Sequence, residues 1–302
     1  MGVVGVADGL LADALVRIAR EVDAGFDRLL QIPVDGRARL VEAMRYAAIG
    51  GGKRLRPLLL TATAEMYGAN REAALRASLA IEAIHVYSLI HDDLPCMDDD
   101  ATRHGKPTVH MVFDEATAVL AGDALHAFAF EILADPATSG DPFCRVELVS
   151  TLGGASGFQG MAGGQMMDMV SEDQEFDLQT ITRLQQLKTG ALLGAAVEMG
   201  AVLARVPVEG RTHLRGYARN IGLAFQIVDD LLDHDGDEAV AGKALRKDAG
   251  AGKQTFVSLL GAERAREQAR MLVSQAIDHL SGHGSEADLL RTLAQYVVER
   301  DR

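Results

Sequence analysis

Apolar residues recur at helical spacing along almost the whole of this 302-residue chain, in roughly ten segments: about 8 to 30, 36 to 50, 57 to 67, 71 to 92, 112 to 134, 143 to 160, 177 to 204, 209 to 233, 254 to 281 and 286 to 300. That leaves little chain for sheet. Only seven prolines interrupt it, alanine and leucine abound, and no Asn-Gly or Asp-Gly turn joins two alternating runs, so an all-α protein is expected. The breaks carry turn chemistry: IGGGKRLRP (49–57), DPATSGDP (135–142), DGDEAVAGKALRKDAGAGK (235–253) and SGHGS (281–285). None resembles an interdomain linker, so one domain over 1–302 is expected.

The formal net charge of −13 argues against nucleic acid as a partner, since phosphate backbones are held by basic surfaces. Cys96 and Cys144 are the only cysteines and form no CxxC, which excludes a zinc site or disulfide framework and fits a reducing compartment. Each is expected to be a small buried side chain. The N-terminal residues lack the basic start of a signal peptide. ALLGAAVEMGAVLARV carries Glu198 and Arg205 and is short for a membrane span of about 20 residues. A soluble, cytoplasmic protein without a transmembrane segment is expected.

One feature recurs. IEAIHVYSLIHDD (81–93) and NIGLAFQIVDDLLD (220–233) are both apolar helices running into an aspartate pair. In the second, Asp229 and Asp233 lie one turn apart on one face, with Asp230 beside them, among Ile227, Val228, Leu231 and Leu232. Burying carboxylates there costs several kcal/mol unless a cation or donor compensates. In the first, Asp92 and Asp98 would fall on nearly opposite sides of a continuous helix. Pro95 supplies a break that lets Asp98 swing back, leaving Asp99 and Asp100 to cap or solvate the loop. An acidic run by itself is also read as solvated surface, but two on apolar helices favour a metal. Oxygen-only ligation points to a hard cation such as Mg2+, completed by water and substrate phosphates. DHDGDEAVAGKA (233–244) has its glycine and final residue wrong for an EF-hand.

Basic islands complement the acids. GGGKRLRP places Lys53, Arg54 and Arg56 on a glycine-rich approach to a helix start, LKTGALLGA adds Lys188 and Thr189, and 235–253 adds Lys243, Arg246, Lys247 and Lys253. That last segment reads either as a lid or as a mobile surface loop. The simplest ligand common to Mg2+-type acids and basic islands is a diphosphate.

With these motifs in hand, the chain resembles the trans-isoprenyl diphosphate synthases (polyprenyl synthetases), and within them the bacterial farnesyl diphosphate synthase group. The likeness runs from GGKRLRP through SLIHDDLPCMDDD, GKPTVH, LAGDAL, GGQMMD, KTGALL, GLAFQIVDDLLD and GK…D…GK to YVVER. It implies a helical bundle around a deep central cavity, usually a homodimer. It further implies that Asp92, Asp93, Asp98 and Asp229 bind a magnesium cluster of three ions, with Mn2+ as an alternative, and that Asp230 and Asp233 bind or support it. Arg103, Lys188 and Lys243 would hold the allylic diphosphate, Lys53, Arg56 and His85 would hold isopentenyl diphosphate, and His104 and Lys253 would also bind substrate. Thr189 and Gln226 would line the reacting centre, and Tyr87 and Ser88 the cavity floor that sets chain length. The implied reaction is ionisation, condensation and elimination, with farnesyl diphosphate as product. Geranyl or geranylgeranyl diphosphate, or prenyl transfer to another acceptor, is the alternative.

Three positions depart from the family pattern: Ala101 replaces an acid, His104 the second arginine of an Arg-Arg-Gly motif, and Thr255-Phe256-Val257 a Thr-Tyr-Pro. Histidine has fewer donors and is mostly uncharged above a pKa of about 6.5, so another base compensates, affinity falls, or the acceptor differs. A terpene cyclase would replace DDLLD, and a non-catalytic subunit would lose aspartates. Both sets are intact here.

Overall fold

The helical periodicity is realised almost segment for segment in the computed structural model, which describes residues 4–171, 174–235 and 254–299. The order is α1 (Val4–Leu29), α2 (Ala38–Ala48), α3 (Leu55–Met66), α4 (Arg71–Asp92), α5 (Val109–Val112), α6 (Glu115–Ala134), α7 (Pro142–Ser156), α8 (Met161–Val170), α9 (Leu178–Gln185), α10 (Ala191–Leu203) and α11 (Thr212–Asp235). Helices Phe256–Leu260, Ala262–His279 and Asp288–Glu299 follow.

Helix α4 is the centre of the bundle because its side chains are small or aliphatic on nearly every face. Ala74, Ala77, Leu79, Ala80, Ile81, Ala83 and Ile84 are all fully buried, and α1, α2, α3, α6, α7 and α10 pack around them. Each large aliphatic side chain so buried contributes about 1.5–3 kcal/mol. Asn70 starts the helix by accepting the N–H of Ala73. By length and hydropathy α4 and α6 could each cross a membrane, but they pack against one another and 67% of the apolar window of α4 is inside the protein.

The structure departs from the periodicity at four places. The segment 143–160 ends at Ser156, and Met161–Val170 forms a separate helix: a Cβ at Gly160 would stand 2.1 Å from the Ala155 oxygen, so only glycine permits this corner. The segment 177–204 contains a π turn at Gln186–Gly190. The segment 254–281 breaks at Gly261, whose φ is +79°. A two-residue ladder pairs Thr102–Arg103 with Lys106–Pro107. Cys144 is buried as expected, whereas Cys96 is exposed, because it lies in the loop after Pro95.

Candidate active site

The first acidic motif turns back on itself. Helix α4 ends at Asp92, the N–H of Asp98 donates to the Asp92 carbonyl at 2.8 Å, and Asp99 takes φ +49°. Six residues of separation are thereby folded into one turn, as the break at Pro95 requires. Burial pushes the Asp92 carboxyl up to about 6, Lys188 opposes the shift, and Asp98 adds to it. Asp93 is only 4% exposed and receives the Arg103 Nε at 2.5 Å. Burial carries it to about 6 as well, outweighing Arg103. The second nitrogen of Arg103 donates to Asp100 at 3.2 Å.

The second motif sits on α11, where Asp229 and Asp233 are one turn apart and Gln226, partly buried, lies one turn before Asp229. Asp229 supports the charge of Arg56. Asp230 is buried and one of its oxygens accepts the Phe256 N–H at 2.8 Å, anchoring the returning chain.

The π turn packs against α8 and α11, and its Lys188 lies within electrostatic reach of Asp92. Such turns add one residue to a helical circuit and redirect the side chains they carry, here Lys188 and Thr189. Lys188 donates to Asp168 at 2.8 Å. A Cβ at Gly164 would stand 2.2 Å from the Lys188 nitrogen, so this glycine lets α8 bring Asp168 within reach.

A cavity of about 70 Å3, partly open to solvent, lies beside Asp93. Its lining includes Arg54, Glu82, His85, Asp93, Arg103 and His104. Burial and the charges of Arg56, His104, Arg54 and Arg103 hold His85 well below the ordinary imidazole value, so its ring is neutral at pH 7. Burial also lowers Arg56, opposed by Glu82 and Asp229. His104 and Gly105 take φ +52° and +74°, the two central positions of a type I′ turn, which histidine tolerates better than most residues. The imidazole thereby comes over the glycine turn, with its ring 3.7 Å and 3.8 Å from where Cβ atoms of Gly51 and Gly52 would be. Partial burial, then Arg103, Arg54, Lys53 and Lys106, lower its pKa.

Tyr87 and Ser88 are partly buried on α4, and the Ser88 hydroxyl donates to the His85 carbonyl at 2.8 Å. Lys243, Lys253 and the lid-like segment beyond Asp235 lie outside the described residues. Sequence reasoning grouped Arg54 with the anion-binding bases, but its guanidinium is buried in ion pairs with Glu82 and Asp23. It passed over Glu82 and Asp168, although an acid inside the apolar run IEAIH and the last residue of GGQMMD were available signals.

Among the described residues no three acidic, histidine or cysteine side chains form a ready-made metal cage.

Helical walls, two acidic motifs and a set of neighbouring bases make up the site. The family model for polyprenyl synthetase matches residues 37–295, and the chain belongs to that family, as a prenyltransferase. It is 44% identical over 275 residues to the farnesyl diphosphate synthase of Escherichia coli (strain K12), covering 87% of this chain and 90% of the relative. A farnesyl/geranylfarnesyl (FPP/GFPP) synthase structure from Zymomonas mobilis superposes with a TM-score of 0.89 at 56% identity, covering 97% of this chain and 99% of that one. A Helicobacter pylori geranyltransferase, solved with magnesium and isoprenyl diphosphate, superposes with a TM-score of 0.81 at 32% identity, covering 96% of each chain. Geranylgeranyl diphosphate synthases are also among the relatives.

Proposed function

We propose that this chain condenses an allylic diphosphate, dimethylallyl or geranyl, with isopentenyl diphosphate and releases farnesyl diphosphate. The observation that carries the reading is the family match over residues 37–295, and it is supported by Asp92 lying within electrostatic reach of Lys188 and Arg56 within reach of Asp229.

Carboxylate oxygens are the donors Mg2+ prefers, and Asp92, Asp98, Asp229 and Asp233 are the residues that would hold it. Asp93 and Asp230, engaged with Arg103 and the Phe256 amide, would support that set. Three ions, and Mn2+ as a substitute, belong to the same proposal, tested by metal titration. When bound, Mg2+ supplies charge neutralisation for the departing diphosphate.

Arg103 and Lys188 are pre-oriented by Asp93 and Asp168, so they meet the developing negative charge without reorganising. Breaking the C–O bond leaves an allylic cation. Lys53, Arg56, His85 and His104 hold isopentenyl diphosphate so that its double bond attacks C1 of that cation, with Thr189 and Gln226 beside the reacting atoms. The new cation then loses a proton to the released diphosphate. A homodimer fits the exposed apolar side chains of Met111 and Val112 on α5 and Val119 and Leu120 on α6.

Purified protein given Mg2+, dimethylallyl diphosphate and isopentenyl diphosphate should make a fifteen-carbon product by mass spectrometry. A twenty-carbon product moves the reading to a geranylgeranyl synthase, and no product without a partner chain to a non-catalytic subunit.

A further inference from the structure

The turn that carries Lys53, and that lines the cavity through Gly51, Gly52 and Arg54, is held by side chains to which the mechanism above gives no role. Gly50 and Gly52 have φ of +75° and +73°, and Arg54 follows at +52°. An arginine in the left-handed region is strained by about 1–2 kcal/mol and stays there only where its surroundings hold it. Here they do. The Arg54 side chain is 2% exposed; one terminal nitrogen donates to Glu82 Oε1 at 2.8 Å, the other to Asp23 Oδ1 at 2.8 Å and to the Ala48 carbonyl at 2.6 Å. The same Asp23 oxygen accepts the Gly50 N–H at 3.2 Å. One guanidinium thus ties α1, the end of α2 and α4 to the glycine turn.

Glu82 has a second feature. It is 2% exposed, and its other oxygen, Oε2, is buried without a hydrogen bond. The Nε of Arg56 is buried without one too. Unpaired buried polar atoms of this kind are uncommon because each costs about 1–3 kcal/mol or more. The two groups are opposite in charge and interact electrostatically, and Glu82 lines the cavity one turn before His85.

We propose that Glu82 is a positioning residue for the isopentenyl diphosphate pocket: through Arg54 it fixes the 50–54 turn that presents Lys53, and by its charge it keeps Arg56 oriented toward the ligand. This rests on the reading of the cavity as the isopentenyl site. The three charged groups Arg54, Arg56 and Glu82 would then divide the work, one fixing the backbone, one meeting the anion and one setting both.

The test is steady-state kinetics of the full-length enzyme with each substrate varied separately. Glu82→Gln keeps an acceptor for Arg54 but replaces Oε2 by a donor and removes the charge. Arg54→Lys keeps the charge but cannot bridge three acceptors. Asp23→Asn, a milder change on the far side of the same guanidinium, serves if either of the others fails to fold. The first two should raise KM for isopentenyl diphosphate about tenfold, and Asp23→Asn less, with kcat and the allylic KM changed under about twofold. A drop in melting temperature with both KM values unchanged, or equal losses for both substrates, overturns the proposal and leaves Glu82 a structural residue. If the wild-type enzyme itself shows no isopentenyl-dependent turnover, the functional reading fails and takes this inference with it.

Discussion

The Tyr87 ring stands edge-on to His126, with centroids 5.1 Å apart and planes at 89°. His91 approaches the same tyrosine at 5.7 Å and Phe130 extends the stack behind His126 at 5.2 Å, so α4 and α6 are joined by a series of edge-to-face rings. Such contacts contribute about 0.5–1.5 kcal/mol each beyond area burial and fix a side chain's rotamer. Tyr87→Ala should therefore lengthen the product beyond fifteen carbons. His126→Ala, which only loosens the tyrosine, should give a mixture. Mass spectrometry of the products decides both, and an unchanged fifteen-carbon product from Tyr87→Ala would remove the tyrosine from the cavity floor.

Asp92 stores instability at neutral pH. Its folded pKa of about 6 lies above the ordinary 3.8, so the folded state favours the protonated form. The associated stability is fully present below about pH 4 and is lost as pH rises through 6. Without Mg2+, Asp92→Asn should be more stable than wild type by about 1–2 kcal/mol at pH 7.5, or about 2 °C or more in Tm, while losing activity. At pH 4 the two should melt together. Equal melting at both pH values would show that Asp92 is not strained.

Partial burial and four neighbouring cations hold His104 below the ordinary imidazole value, with its ring over Gly51 and Gly52. Neutral imidazole gives a diphosphate one donor and no charge, whereas arginine gives several charge-assisted ones. His104→Arg should lower KM for isopentenyl diphosphate about fivefold or more at pH 8. No change at pH 8 would mean that Lys53 and Lys106 already compensate.

Lys188, locked to Asp168, is assigned to the leaving diphosphate. Lys188→Ala should lower kcat by about a hundredfold or more, the scale of losing one preorganised donor, with little effect on KM for isopentenyl diphosphate. Asp168→Asn keeps the lysine but weakens its hold, and should fall between wild type and Lys188→Ala. Loss confined to the isopentenyl KM would place Lys188 in the other pocket.

Most of the fold was legible because helix formation is local. The apolar spacing marked the longer helices to within a few residues, whereas α5 and α8 fell outside the marked segments and glycine corners and the π turn altered the path. The bend of the first acidic motif was legible for the same reason, since Pro95 acts on its immediate neighbours and returns the Asp98 amide to Asp92 at 2.8 Å. So was the i, i+4 pair Asp229 and Asp233. What local pattern could not separate were chemically equal neighbours with unequal fates. Arg54 and Arg56 are two residues apart, yet one is spent on Glu82 and Asp23 and the other retains a buried, unpaired N–H. Asp92 and Asp93 are adjacent, yet Arg103 takes only the second.

The sequence by itself therefore determined the helices, the break at Pro95 and which residue types could meet a diphosphate. Only the tertiary structure decided which of those groups are committed to each other: the Arg54 partners lie 28 and 31 residues away. Electrostatic pairing and desolvation depend on distance and burial in space, which no local pattern encodes.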